Sequence, residues 1–134
     1  MMCFSTLLPL LSDDLEADAA IDISSYDMLL HTYEAGESGI RMTDLAERLV
    51  VSKSGLTARV DRLEERGLLQ RVADSEDRRA IRIALTPDGL ATFRKAATIH
   101  LKGIEDRFVR YVTERQAEAM LAAFAAVAEQ SSVD

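Results

Sequence analysis

The sequence predicts a mainly α-helical fold with one small β element, and three observations carry that prediction. Apolar residues recur at spacings of three and four through most of the 134 residues. The period switches to two only between Leu68 and Leu85. Helix-starting Ser, Thr and Pro and helix-ending Gly punctuate the periodic stretches. The length suits one ordinary domain, and 48% apolar with 29% charged residues is a globular composition. A single cysteine, Cys3, excludes an internal disulfide framework. With only two well-separated histidines beside it, His31 and His100, no structural zinc site and no cofactor is expected. No apolar run approaches the ~18 residues of a membrane span. The start, MMCFSTLLPLL, has no Lys or Arg before its apolar stretch and so lacks the charged region of a signal peptide. A soluble, reduced, cytoplasmic protein with no membrane partner is expected.

Each element has its own reason. Leu8, Leu11, Leu15 and Ala19 make one stripe of a first helix, about Leu8 to Ala20, with Pro9 near its start. A second helix runs from Ser24 or Ser25 to Ala35, with Met28, Leu29 and Tyr33 inward, and stops at Gly36. Thr43 can cap a short helix, Asp44 to Leu49, that buries Leu45, Ala46 and Leu49. Val50 and Val51 make a turn, and Ser52 caps the next helix, Lys53 to Arg66, which Gly67 closes in a left-handed conformation. Its inner stripe is Leu56, Val60 and Leu63; Ser54, Ala58, Asp61 and Glu65 lie opposite. Leu68–Ala73 and Ile81–Leu85 read as two strands of a hairpin, with Asp74 to Arg79 as its polar tip. Thr86 caps a long helix with Pro87 at its first position, running to about residue 112 through Leu90, Phe93, Ala97, Leu101, Ile104, Phe108 and Tyr111. Thr113 and Gln116 form a capping box for a last helix, whose apolar face is Ala117, Met120, Leu121, Phe124 and Val127.

The net charge of −7 speaks against a nucleic-acid partner until its distribution is considered. Residues 1–40 hold eight acidic groups and no Lys or Arg, whereas residues 41–82 hold ten Lys/Arg against eight Asp/Glu. Screening confines each charge to about 8–10 Å, so a local basic surface can still bind phosphate. The two short helices form a helix-turn-helix unit, whose second helix presents its N-terminal residues to the major groove. Ser52, Ser54 and Thr57 sit near that helix start, and Lys53, Arg59 and Arg62 can reach phosphates or base edges. The hairpin directly after it makes a winged helix. Arg78 and Arg79 at its tip suit a narrow minor groove, with Asp77 placed to hold the Arg79 guanidinium. An amphipathic surface helix with Glu–Arg pairs and a solvated charged loop are the plainer readings of these features.

The stretch SKSGLTARVDRLEERGLLQRVADSEDRRAIRIALTPDG resembles the DNA-binding core of the MarR family of winged-helix transcriptional regulators. DRRAIRIALTPDG, with Asp77, Arg79, Leu85, Thr86 and Gly89, is similar to that family's wing signature; SSYDMLLHTYEA and RMTDLAERL resemble its second and third helices. The likeness covers roughly residues 7–130. It implies a mainly α fold with a two- to three-stranded β wing: a winged lobe at 24–86 and dimerisation helices at 1–23 and 87–134. It further implies a homodimer on a pseudo-palindromic operator in double-stranded DNA, released in many members by a small aromatic or anionic effector and in others by cysteine oxidation. Ser52, Ser54, Thr57 and Arg62 are then the recognition-helix residues, and Asp77 and Arg79 those of the wing. Two departures stand out. Ala58 occupies a position where many members carry Arg, which removes one bidentate base contact, roughly 1–3 kcal/mol of discrimination. The first helix is short beside the family's, which leaves open a smaller dimer interface or a misassigned start codon.

The two C-terminal helices carry more apolar surface than one small lobe can cover, which independently points to a second copy. Tyr26 and His31 are the candidate lining of an effector pocket. Cys3 lies closer to the second helix than the reactive cysteine of the family's peroxide sensors, at an end that frays. No HExxH, CxxC, glycine-rich phosphate loop or Ser/His/Asp set marks an enzyme. The competing function from another class is a winged-helix protein–protein adaptor with no operator, to which the acidic charge and Ala58 lend some weight.

Overall fold

Period and punctuation translate into six helices and three short strands in the computed structural model, which describes residues 2–49, 52–74, 77 and 79–131, with side chains for 6–49, 52, 54–74, 77 and 79–126. In chain order these are α1 (Met2–Ala19), α2 (Ile23–Glu34), β1 (Ile40–Arg41), α3 (Met42–Leu49), α4 (Lys53–Glu65), β2 (Leu69–Ala73), β3 (Ile81–Leu85), α5 (Pro87–Arg107) and α6 (Glu114–Ser131). The expected turn at Val50 and Val51 lies outside the described residues. The chain divides into two compact units, one running to Leu101 and the other from Lys102. The first unit therefore holds α1 and most of α5 together with the winged lobe. No helix among the described residues is long and apolar enough to cross a membrane.

In the first unit the strands make one antiparallel sheet in the order β1-β3-β2. Ile40 pairs with Ile83 and Arg41 with Arg82; Leu69 pairs with Leu85 and Ala73 with Ile81. Helices α2, α3 and α4 cover one face, and the core is a single cluster around Leu15, Met28, Leu29, Leu45, Leu56, Val60 and Ile83, all buried. β1 is the strand that periodicity missed: two residues are too few to show alternation. It enters α3 without a linker, so α3 begins at Met42, and Thr43 lies inside it rather than capping it.

Other boundaries shift for identifiable reasons. Helix α1 reads through Pro9 and starts six residues earlier than expected. Leu11 and Leu15 are buried in it, but Leu8 is exposed. Its end is fixed by Ala20, whose φ of 55° is left-handed, which costs a non-glycine residue about 1–2 kcal/mol. Arg66, at the end of α4, donates to the Ala20 carbonyl at 2.7 Å, and Ile21 is buried just beyond. The α2 cap is Asp22, not a serine: its carboxylate accepts from the Ser25 N–H at 2.7 Å. Tyr33 is 46% exposed and Ile81 49%, so neither belongs to the inner stripe their spacing suggested. Gly67 closes α4 as expected, at φ 71°.

Thr86 joins the end of α4 to the start of α5. Its hydroxyl donates to the Gly67 carbonyl at 2.6 Å and accepts from the Gly89 N–H at 2.9 Å. Its own N–H donates to the Leu68 carbonyl at 3.2 Å.

In the second unit α5 stops at Arg107 instead of running on to 112. A single 3-10 turn, Val109–Tyr111, follows; the β-branched and aromatic residues there are poor helix formers. The capping box forms as expected. The Gln116 side chain accepts from the Thr113 N–H at 2.9 Å, and the Gln116 N–H donates to the Thr113 hydroxyl at 3.4 Å. Leu121 is 70% exposed and Phe124 61%. The Val127 side chain lies outside the described residues.

Candidate nucleic-acid interface

Ser52 caps α4 as its position suggested: its hydroxyl accepts from the Gly55 N–H at 3.2 Å and lies 3.3 Å from the Ser54 hydroxyl. Leu56, Val60 and Leu63 seat the helix on the core. That leaves Ser54, Thr57, Ala58, Asp61 and Arg62 exposed and Arg59 half-buried. The Lys53 backbone opens the helix; its side chain lies outside the described residues.

The acidic groups of α4 do not neutralise its arginines. Arg71 of β2 takes two of them, bonding Asp61 at 2.5 Å and pairing with Glu64. The hydrogen bond that Arg71 donates to Asp61 leads the effects that raise the Arg71 pKa above its ordinary value. Arg59 and Arg62 consequently have no carboxylate partner among the described residues, although acidic residues outnumber basic ones by 23 to 16. The Glu–Arg pairs of an ordinary surface helix are thus not formed at these two positions. Both arginines line a polar cavity of about 220 Å³ with Asp22, Ser24 and Ser25 at the start of α2. Thr57 lines another, of about 210 Å³, with Met42, Thr43 and Leu56.

The wing is built differently from the expectation. Asp74, assigned by sequence to the polar tip, has a side chain with no solvent exposure. Its Oδ2 accepts from the Nε of Arg41 and from the Nε of Arg82, both at 2.8 Å, and its Oδ1 accepts from the Asp77 N–H at 3.2 Å. These contacts raise the Arg41 pKa, the hydrogen bond first and the charge of Asp74 second. Arg82 also donates to the Gly39 carbonyl at 2.9 Å. Asp77 does not hold the Arg79 guanidinium. Its carboxylate accepts from the Arg79 backbone N–H at 3.0 Å, and its carbonyl accepts from the Ala80 N–H at 2.9 Å. Asp77 therefore shapes the turn, and Arg79 is left exposed with no ion-pair partner among the described residues. Arg78 lies outside them.

Tyr26 and His31 are not brought together. His31 Nδ1 lies 3.2 Å from a Glu34 carboxylate oxygen. Tyr26 is buried in an aromatic group, 6.0 Å from the Phe93 ring and 4.7 Å from the His100 ring, centre to centre. Burial raises the Tyr26 pKa, with Asp27 adding to it. Burial lowers that of His100, against the pull of Asp27, and His100 Nδ1 is buried with no hydrogen-bond partner among the described residues. A more open cavity of about 430 Å³ lies elsewhere, between Tyr33 and Glu37 on one side and Leu85, Pro87 and Leu90 on the other. Tyr33 stacks on Phe93 at 4.6 Å. No group of three or more His, Cys, Asp or Glu that could hold a metal ion occurs among the described residues.

Comparison with known proteins gives concordant results. Residues 21–80 match the model of the MarR family. The chain is 33% identical over 77 residues to the HTH-type transcriptional repressor MdtR of Bacillus subtilis, which covers 58% of this chain and 49% of that protein. It thus spans about half the length of the curated relatives it matches. Among solved structures it is similar to AbsC, a MarR family transcriptional regulator from Streptomyces coelicolor, with a TM-score of 0.85 and 28% identity over 96% of this chain and 86% of that one. It is also similar to Sco3205, a MarR family regulator from the same organism solved in complex with DNA, with a TM-score of 0.84 and 27% identity over 94% and 79% of the two chains.

Proposed function

We propose that the chain is a member of the MarR family, whose model residues 21–80 match, and that it is a sequence-specific regulator of transcription rather than an enzyme. It is a cytoplasmic repressor that binds a pseudo-palindromic operator as a homodimer and is released by a small molecule. The observation that carries the reading is the set of arginines without acidic partners among the described residues of an acidic chain: Arg59 and Arg62 on α4, and Arg79 on the wing. Ser54 and Thr57 face outward on the same helix and complete a surface suited to base edges and phosphates. The polar cavity beside Arg59 and Arg62 suits a backbone phosphate.

Dimerisation is supported in each unit separately. Leu8 and Leu10 are exposed on α1, and Leu121 and Phe124 on α6; a second copy is the simplest cover for such side chains. Release is supported by the cavity at Tyr33. Its walls are apolar, and Glu37 is the charged side chain among its lining residues. An aromatic effector that is neutral or cationic therefore fits it better than an anion. Titration of a bound operator with 1-naphthylmethylammonium and with 1-naphthoate tests this: release by the cation supports the assignment, and release by the anion alone removes it.

The primary test is selection of bound sequences from a random duplex library at physiological salt. An enriched pseudo-palindrome with half-site centres ~10 bp apart is expected. Arg79→Ala should then weaken operator binding and lower the slope of log affinity against log salt by about one. Binding with no sequence preference would overturn the reading and favour the adaptor.

A further inference from the structure

We propose that Asp74 is a positioning residue for DNA recognition, locking the wing to the strand that leads into the helix-turn-helix. The inference rests on the regulator reading above. Arg41 and Arg82 are direct cross-strand partners in the β1–β3 pair. Like charges so placed repel and destabilise a sheet. The structure keeps both because the Asp74 carboxylate lies between them, one oxygen taking both Nε atoms at 2.8 Å. The second oxygen receives the Asp77 N–H, and Asp77 in turn holds the backbone N–H of Arg79. One buried carboxylate therefore connects three segments: β1, which continues without a break into α3; β3, the returning wing strand; and the turn that carries Arg79. Backbone bonds join the wing strands to each other, and the Asp74 N–H donates to the Ala80 carbonyl at 3.1 Å. What the side chain adds is orientation relative to β1, and through it to the reading helix.

The role differs from simple stabilisation. Arg41 is about one-third exposed and Arg82 one-quarter, so the cluster sits at the surface of the wing base and not in the hydrophobic core. Replacing the carboxylate by an amide of the same shape leaves two facing guanidinium groups with no negative charge between them. The wing base is then expected to splay, while α4, seated by Leu56, Val60 and Leu63, stays in place.

The experiment compares Asp74→Asn, Arg79→Ala and the double variant for affinity to a selected operator duplex, with amide hydrogen exchange on the DNA-free protein. Asp74→Asn is expected to weaken binding roughly tenfold. It should add less than about twofold in the Arg79→Ala background, because the two act through one contact. Exchange should rise at Asp77, Ala80 and Arg82 and stay unchanged at Leu56 and Val60. Additive effects on binding, or unchanged exchange at the wing, overturn the proposal. Should Asp74→Asn fail to fold, Arg41→Gln removes one clamp and is held to the same two criteria. If the wild-type protein selects no sequence, the regulator reading fails, and hydrogen exchange alone still decides whether Asp74 orders the wing.

Discussion

Gly89→Ala tests the joint on which the whole lobe hangs. Gly89 is the third residue of α5, and a Cβ placed on it would lie 1.8 Å from the Leu68 carbonyl oxygen and 2.8 Å from the carbonyl carbon. An ordinary carbon–oxygen contact is about 3.3 Å, so the first turn of α5 must move by roughly 1.5 Å. Backbone cannot yield as a side-chain tip would. The movement pulls the Thr86 N–H from the Leu68 carbonyl and the Thr86 hydroxyl from the Gly67 carbonyl. Each lost hydrogen bond costs about 1 kcal/mol, and overpacking adds about 1–3 kcal/mol. The sum, about 3–5 kcal/mol, is a large part of the ~5–15 kcal/mol that holds a domain together. The assay is urea unfolding followed by far-ultraviolet circular dichroism, with Gly36→Ala as the control. Gly36 has a left-handed φ of 75° but open space where its Cβ would stand, so its cost is only the conformational one, about 1–2 kcal/mol. Gly89→Ala must lower the midpoint well beyond Gly36→Ala. Equal shifts would refute the close-approach argument.

Three further outcomes follow from the geometry. The His100 pKa is lowered by burial, so its neutral form is favoured in the folded state. The resulting stability is full above the unfolded value, about 6.5, and is lost as the pH falls through the folded one. Unfolding free energy should drop on acidification below about pH 6.5, and His100→Gln should flatten that part of the profile. Leu121→Asp and Phe124→Asp should give a monomer in sedimentation equilibrium with an unchanged helical spectrum; a persistent dimer would exclude α6 from the interface. Ser52→Ala removes the α4 cap and should cost about 1 kcal/mol in unfolding, with a larger effect on operator binding because the same helix end faces the DNA in the proposed complex.

Periodicity and capping chemistry located most of the secondary structure. Leu56, Val60 and Leu63 announced the buried side of α4, and Ser52, Thr86, Gly67 and the Thr113–Gln116 box fall where local hydrogen bonding requires them. The exposure of Arg62 and Arg79 was legible too, since Arg62 flanks the outer side of α4 and Arg79 lies at the hairpin tip, whereas Arg59 is half-buried. The errors share a cause. Tyr33 and Ile81 match an inward period but stay about half exposed, Tyr33 even while stacked on Phe93, because a period gives a face and not how fully it is covered. Ser24 and Ser25 are as good caps as Asp22, and only the path of the chain from α1 chose among them.

By itself, then, the sequence determined what depends on neighbours within a few residues: helix faces, caps, turns and the charge contrast between the central segment and the rest. Tertiary structure decided what depends on distant partners. The Asp74 carboxylate read as one more polar group in a charged loop, because nothing within its own hairpin announces Arg41, 33 residues away in sequence. The strand β1 is too short to show a period and exists through its pairing with β3. That Arg59 and Arg62 have no carboxylate partner among the described residues follows from Arg71 crossing to claim Asp61 and Glu64 of α4. Local hydrogen bonds and periodic burial are encoded residue by residue, whereas the assignment of charges to partners is settled only when strands from different parts of the chain lie side by side.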